Sequence, residues 1–578
     1  MRPVHTVEKD GRTVQPKTPV DSIWQMLTDH VERQLDKDAI ITVDVATGNK
    51  LVLSRRELRD AVIQCANYLH TQFGVQENTH FGFTYDNRAE VLILSLAGAL
   101  LGAASAPLDA RRDVVDRMKY KLELTESHVL ITHPRGSYKD AWQTKVKQFQ
   151  EMVPSIPVIE FNDGRSLIDE IAAYDSVPKF RLVETNDHVH VTLFTSGTTA
   201  DPKGAQLTSA NLLFNAQAIK KWLRITDTDR FAAILPLHHI NSTTFSLATL
   251  LAGGTLVLIS EPPKKRFWEI MAANRVTITS IVQRILYELL ELQKEFEEVR
   301  NDLVLSRIQI GSDVVNPDSA LRFIEQYGIP LHQGYGLTEI ALRATGVPMD
   351  LARDDYLELV RRNTIGMALE NVNVAILNED GHEVEPGEGN IGEICIRGPI
   401  VMQGYLKNAE ATAAVLEGGW FHSGDMGWYE DLPQGRFFFF HSRAKEIIKK
   451  GAALVSPAAI DRSVTAAFPE LAEAFAIGYP DHRWGEEIWM VVIFKENVGP
   501  KQRKELIEEI VKLGREERIP GLPKFESPSH VLDFEVEFPG KTIPRTSTMK
   551  AQRARLKDMV VARLPPDEIT GEWMTEDR

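Results

Sequence analysis

Apolar and polar positions along this chain recur with two periods, and the period changes from segment to segment. His188-Val-His-Val-Thr-Leu-Phe194 alternates or runs apolar in the manner of a buried strand. Leu212, Leu213, Ala216, Ile219 and Leu223 then recur at helical spacing, which predicts a strand, a loop and a helix in that order. Earlier, Ser22 to Phe73 reads as helix, short strand and helix, with Leu58, Val62 and Tyr68 on one apolar face. Short apolar runs between helical stretches continue to about residue 180, the alternation of an α/β sheet. Val91 to Leu108 carries no charge and is just long enough to be weighed as a membrane span. Its Gly98, Gly102 and Pro107, and the charges that flank it, favour a buried helix, a glycine turn and a short strand. Ser280 to Val299 is expected to be one long amphipathic helix, with Ile281, Ile285, Leu289, Leu292 and Phe296 on one side. Asp350 to Arg362 is charged and expected to form an exposed insertion or lid edge, and the short strands and turns from Gly366 onward suit a small β-barrel. Residues 1 to about 20 are polar and expected to be a loose tail.

Composition narrows the class. A chain of 578 residues is too long for one core. With 43% apolar and 25% charged residues it has the balance of an ordinary soluble enzyme. A formal net charge of −15 argues against nucleic acid as a partner. Cys65 and Cys395 match no metal or redox spacing and are expected to be packing residues of a reducing compartment. The first ten residues hold no apolar leader and the last three form no peroxisomal tripeptide, so the cytoplasm is the expected location.

The chemistry gathers in a few polar stretches. Thr195-Ser-Gly-Thr-Thr199 and Lys203-Gly204 combine hydroxyl donors, glycines that let backbone N–H groups approach an anion, and one cation, a set suited to a polyphosphate. The stretch is not a Walker A loop, because Lys203 is followed by Gly204 and Ala205 where that motif needs Ser or Thr. In His332-Gln-Gly-Tyr-Gly-Leu-Thr-Glu339, a tyrosine between glycines can offer its ring face to a base, and Thr338 and Glu339 can offer a hydroxyl and a carboxylate to a phosphate-bound Mg²⁺. Ser423-Gly-Asp425 sets an acid after a glycine turn, where it can accept hydrogen bonds from ribose hydroxyls. The adjacent His238 and His239 point apart and lack a third ligand nearby in sequence, so taken alone they read as one packed and one exposed histidine.

In its order and spacing, Thr-Ser-Gly-Thr-Thr-x-x-Pro-Lys-Gly resembles the phosphate loop of the adenylate-forming superfamily, which comprises AMP-forming acyl-CoA synthetases, peptide-synthetase adenylation domains and firefly luciferase. The resemblance runs from about residue 22 to 560. It implies an α/β multidomain fold: a large N-terminal domain of two α/β subdomains plus a β-barrel, with a small mobile C-terminal α+β domain. The implied boundaries are a tail at 1–21, an adenylation domain at 22–442 and a mobile catalytic domain at 443–578. It implies ATP contacts at Thr195, Ser196, Gly197, Thr198, Thr199 and Lys203, adenine stacking on Tyr335, the α-phosphate at Thr338, Mg²⁺ at Glu339, and ribose at Asp425 and Arg443. His239, Gly311 and Gly334 fall to the acyl side, and Lys445 to an interdomain hinge. Lys550 would bridge the carboxylate and the α-phosphate, and Lys449 would line the thiol's approach. Ser442 and Met549 depart from the family pattern, each standing where glycine is usual. Amino-acid-activating relatives place an aspartate beside the position of His239; His239-Ile-Asn-Ser-Thr243 has none, which counts against α-amino acids. The implied activity is ATP-dependent formation of an acyl-AMP from a fatty or aromatic acid, then transfer to CoA. A ligase that hands the acyl group to a separate carrier protein, and a non-catalytic nucleotide-binding homologue, remain as alternatives.

Overall fold

The computed structural model describes the chain apart from residues 1–3, 10–11, 110–112, 134–138, 163, 196–201, 312–314, 444–445, 451–452, 482, 546–550 and 566–578. It divides into two compact units. The first comprises Met1–Ala375, Cys395–Ser423 and Asp431–Phe438; the second comprises Ile376–Ile394, Gly424–Glu430 and Phe439–Arg578.

The first unit is α/β, as expected. A seven-stranded sheet runs in the order Gly404–Tyr405, Lys203–Thr208, Val189–Thr195, Ala104–Pro107, His80–Thr84, Leu130–Thr132, Val158–Glu160. In the other sheet, Leu331–Tyr335, Arg307–Ile310, Ile278–Ile281, Arg230–Ala233, Thr255–Ile259 and Asp38–Val43 lie side by side, each parallel to the next. These strands are near-continuous apolar runs because helices cover both of their faces. The uncharged stretch from Val91 forms part of helix Ala89–Leu101, buried at every position, then a left-handed Gly102 at φ 69° and the buried strand Ala104–Pro107. Among the described residues no helix is long and apolar enough to cross a membrane.

Several sequence expectations are corrected. The amphipathic pattern of 280–299 is not one helix: Ile278–Ile281 is a strand, followed by helices Gln283–Leu290 and Gln293–Val299. The break at Leu292 (φ −105°, ψ 34°) lets Leu289, Leu292 and Phe296 all turn inward, and Phe296 packs edge-on against Trp268 and Tyr327 at 5.0 and 4.7 Å. Residues 353–361 form a helix, with Leu359 buried and the Tyr356 hydroxyl tied to the backbone of Leu331. Nor are residues 4–9 and 12–14 a loose tail. Val7–Lys9 and Arg12–Val14 pair antiparallel, Val7 is buried, and Gly398 and Glu8 donate N–H bonds to Val4 O and to the Asn373 side chain.

The second unit is built on a five-stranded sheet whose long hairpin is Leu471–Asp481 with Gly485–Phe494. Alternate residues feed opposite cores, as the two-residue period of a strand requires. Ala474, Ala476, Met490 and Val492 join Ile460, Val464 and Ile510 on one face. Phe475, Ile477, Trp489 and Val491 join Phe534, Leu556 and Val560 on the other. Arg553 bonds the Asp461 carboxylate and the Ala476 carbonyl, both at 2.6 Å.

Candidate active site

The glycine- and hydroxyl-rich stretch does not pass straight from strand to helix. Lys203–Thr208 forms a second strand antiparallel to Val189–Thr195, with Lys203 opposite Thr195, and Thr208 then caps helix Ser209–Trp222. Ala205 and Leu207 face the core while Lys203 is half-exposed, a strand alternation hidden by the loop-like composition before it. Gly204 is required by close packing, since a Cβ there would lie 2.9 Å from the Thr192 methyl. Ser196, Gly197, Thr198 and Thr199 lie outside the described residues.

Lys203 reaches a neighbour that sequence reasoning did not single out. Its Nζ stands 5.0 Å from the centroid of the Tyr405 ring, and the Tyr405 hydroxyl donates to Glu339 Oε1 at 3.0 Å. Burial and the Glu339 charge push the Tyr405 hydroxyl well above its ordinary pKa, so it stays protonated and donating. A cation, an aromatic ring and a carboxylate distant in sequence thus form one cluster.

Glu339 belongs to a short 3₁₀ turn, Thr338–Ile340, that follows strand Leu331–Tyr335. The turn is tight: Ala341 and Leu342 have φ of 56° and 124°. A side chain at Gly336 would sit 1.5 Å from the Leu342 carbonyl oxygen. Such backbone is costly for a residue like leucine. Tyr335, Thr338 and Glu339 are all half-buried.

Buried asparagines hold these segments. Asn87 donates to the carbonyls of Ala233 and Leu235 at 3.1 and 2.8 Å and accepts the Leu237 N–H, fixing the approach to His239. Asn211 donates to Pro399 O and Val401 O, at 2.7 and 2.8 Å, ahead of Tyr405. Asn215 both donates to Arg343 O and accepts from Arg343 N–H. Most of the backbone groups these amides serve lie outside strands.

His239 caps helix Ile240–Ala252, its Nδ1 accepting from Asn241 N–H at 3.4 Å. Burial first, then His238 and Arg343, lowers its pKa to about 4, so the ring is neutral and Nε2 carries the proton. Gly311 and Gly334 lie back to back: a Cβ on Gly311 would lie 2.5 Å from Gly334 O and 2.9 Å from Arg343 Nη2. A Cβ on Gly334 would meet the Trp222 ring at 2.8 Å and Arg343 Cδ at 3.1 Å. Arg343, absent from the sequence reading, is therefore the side chain that both glycines make room for.

In the second unit, Gly424 at φ 71° turns the chain, and its N–H donates to Glu393 at 2.8 Å. Asp425, only 4% exposed, pairs with Arg443 at 3.6 Å. Lys449 is exposed on strand Ile448–Lys450, its N–H donating to Glu486, whereas Lys450 is committed to Glu487 at 2.6 Å. Lys445 and Lys550 lie outside the described residues.

The family model for AMP-binding enzymes matches residues 27–406. The chain belongs to the AMP-binding, adenylate-forming superfamily. This AMP-binding enzyme is 28% identical to the oxalate–CoA ligase of Arabidopsis thaliana over 514 residues, covering 88% of this chain and 94% of the relative. It is 30% identical to the indoleacetate–CoA ligase of Aromatoleum aromaticum over 454 residues, 76% of this chain and 83% of that one. Its fold is like that of ATP-bound MatB from Rhodopseudomonas palustris, with a TM-score of 0.77, 24% identity, and coverage of 93% and 98%.

Proposed function

We propose that this AMP-binding enzyme joins a carboxylic acid to CoA in two steps. In the first, a carboxylate oxygen attacks the α-phosphorus of ATP, the bond to the β-phosphate breaks, and pyrophosphate leaves. In the second, the CoA thiol, giving up its proton, attacks the acyl carbon and AMP departs. The observation that carries this reading is the Lys203–Tyr405–Glu339 cluster, which brings a cation and a carboxylate to the base of the phosphate-loop hairpin. The relatives named as CoA ligases for oxalate and indoleacetate support the acceptor.

Glu339 fits a Mg²⁺ site, because Mg²⁺ commonly takes one or two protein carboxylates and completes its shell with phosphate oxygens and water. When bound, the ion would offset charge on the phosphates. The chain's own side chains would do the rest. Tyr335 would stack on adenine, Asp425 and Arg443 would hold the ribose, and Thr338 would donate to the α-phosphate. Ser196 to Thr199 would follow the pyrophosphate. A neutral His239 would present an N–H donor to the acid. We assign residues 22–442 to adenylation and 443–578 to a mobile domain that turns at Lys445, with Lys550 serving the first step and the Lys449 strand the second.

The test is AMP release with and without CoA, with the thioester identified by mass. Release that depends on CoA, with acyl-CoA formed, is the expected result. Pyrophosphate release that CoA does not extend would favour a carrier-protein acceptor. No pyrophosphate with any acid would leave a nucleotide-binding homologue.

A further inference from the structure

Arg343 is 1% exposed, and its Nε and Nη2 are buried with no hydrogen-bond partner. Among the described residues no carboxylate pairs with it, and burial alone drags its pKa down, to about 9. The Gln309 amide, which borders Gly311 as Arg343 does, does not serve it: Gln309 accepts from Ser280 through Oε1 and donates to the Ile310 carbonyl through Nε2, both at 2.6 Å. A second polar side chain is in the same condition. Asn241, also 1% exposed, has neither its Oδ1 nor its Nδ2 bonded. The two belong to neighbouring segments. Thr244, one helical turn beyond Asn241, donates to the Ala341 carbonyl at 2.9 Å, two residues before Arg343. Arg343 also bears electrostatically on His239, two residues before Asn241.

Buried polar groups are nearly always paired, and a buried guanidinium without an anion is rarer still. Planar, bidentate recognition of a carboxylate is what a guanidinium does best, and an amide N–H adds a further donor. We infer that Arg343, assisted by Asn241, is a specificity-determining residue that receives a second carboxylate, so the preferred substrates are short dicarboxylic acids. This rests on the reading of His239, Gly311 and Gly334 as the acyl side. On that reading, one carboxylate reacts at the α-phosphate while the other stays with Arg343. A monocarboxylic acid of equal length leaves both polar side chains unpaired in the complex, which is the arrangement that discriminates most sharply.

The experiment compares pyrophosphate release with oxalate, malonate and succinate against acetate, propionate and butyrate. For at least one matched pair, the wild-type kcat/KM ratio should favour the dicarboxylate by about 10² or more, and Arg343→Met should lower that ratio by about 10². Arg343→Lys, which keeps charge but loses the fork, should fall between. Stability controls for folding: without ligand Arg343→Met should melt no lower than wild type, since an unpaired buried ion gives way to an apolar side chain of similar length. With AMP present, succinate or malonate should raise the wild-type melting temperature and leave that of Arg343→Met unmoved. A wild-type preference for monocarboxylates, or a ratio untouched by Arg343→Met, overturns the inference. Absence of pyrophosphate with every acid overturns acid activation only; the melting shift then decides the subsite, and a shift that is missing or independent of Arg343 overturns it as well.

Discussion

Tyr405→Phe separates the two contacts that join Lys203 to Glu339. The substitution keeps the ring 5.0 Å from the Lys203 ammonium and removes the single hydroxyl that bonds Glu339 at 3.0 Å. A hydrogen bond to a charged group contributes about 1.5–3 kcal/mol, and its loss here removes one restraint on the carboxylate. Since about 1.4 kcal/mol is tenfold in rate, kcat/KM for Mg-ATP should fall by about 10 to 10². Tyr405→Leu deletes the ring as well, and a cation–π contact of about 0.5–1 kcal/mol predicts a further loss of about two- to fivefold. The assay is pyrophosphate release over a range of Mg-ATP at saturating acid, with circular dichroism to confirm the fold. Tyr405 is also an edge position, where its backbone N–H donates to the Thr412 hydroxyl, so both variants keep that bond. If Tyr405→Phe stays within about twofold of wild type, the hydroxyl does not orient a working carboxylate. If Tyr405→Leu merely equals Tyr405→Phe, Lys203 draws nothing from the ring.

Asp425→Ala should weaken ATP binding by on the order of 1.5–3 kcal/mol, read by calorimetry; unchanged affinity removes Asp425 from the ribose site. Lys550→Ala should slow adenylate formation by about 10² or more while sparing CoA attack on supplied acyl-adenylate. Lys445→Pro should do the reverse by fixing φ at the hinge, and single-turnover assays in which both variants lose both steps equally would refute the two-conformation scheme. Acid should destabilise the first unit through buried histidines. Burial, with Arg307 secondary, lowers His332 to about 4, and burial, with His188 secondary, lowers His190 to about 3. Both folded values lie below the unfolded one, so the unfolded chain binds protons first; the stability is present above about pH 6.5 and is lost as pH falls toward 4. For His332 the loss is on the order of 3 kcal/mol, and melting curves of His332→Gln should depend less on pH than those of wild type between pH 7 and 4.

Local chemistry was legible in the sequence. The tyrosine between glycines, the Ser-Gly-Asp turn and the uncharged Val91 to Leu108 run each declare themselves within a few residues, because turn geometry and burial act on neighbours. Tertiary meetings were not legible. Tyr405 read only as part of a short strand, and its hydroxyl gains meaning only from a carboxylate 66 positions earlier. Arg343 did not stand out at all, since nothing in its flanks says that its side chain is buried without an anion. The second arm of the phosphate hairpin escaped because Pro202 and Gly204 look like breakers, although the alternation of Ala205 and Leu207 was there to be read. The helix drawn from Ser280 failed at its start for the opposite reason, as β-branched residues satisfy either period until a neighbouring strand decides.

The clamps at Asn87, Asn211 and Asn215 also set how this protein tolerates mutation. Each uses both poles of one amide on backbone, donating to a carbonyl and accepting from an N–H. Aspartate has nearly the same shape but would press a negative oxygen against those carbonyls, and leucine would leave donors and acceptors alike stranded. In a saturation scan for activity these positions should therefore score as intolerant as ligand-contacting residues, so that a map of sensitive sites alone would draw the active site far too large.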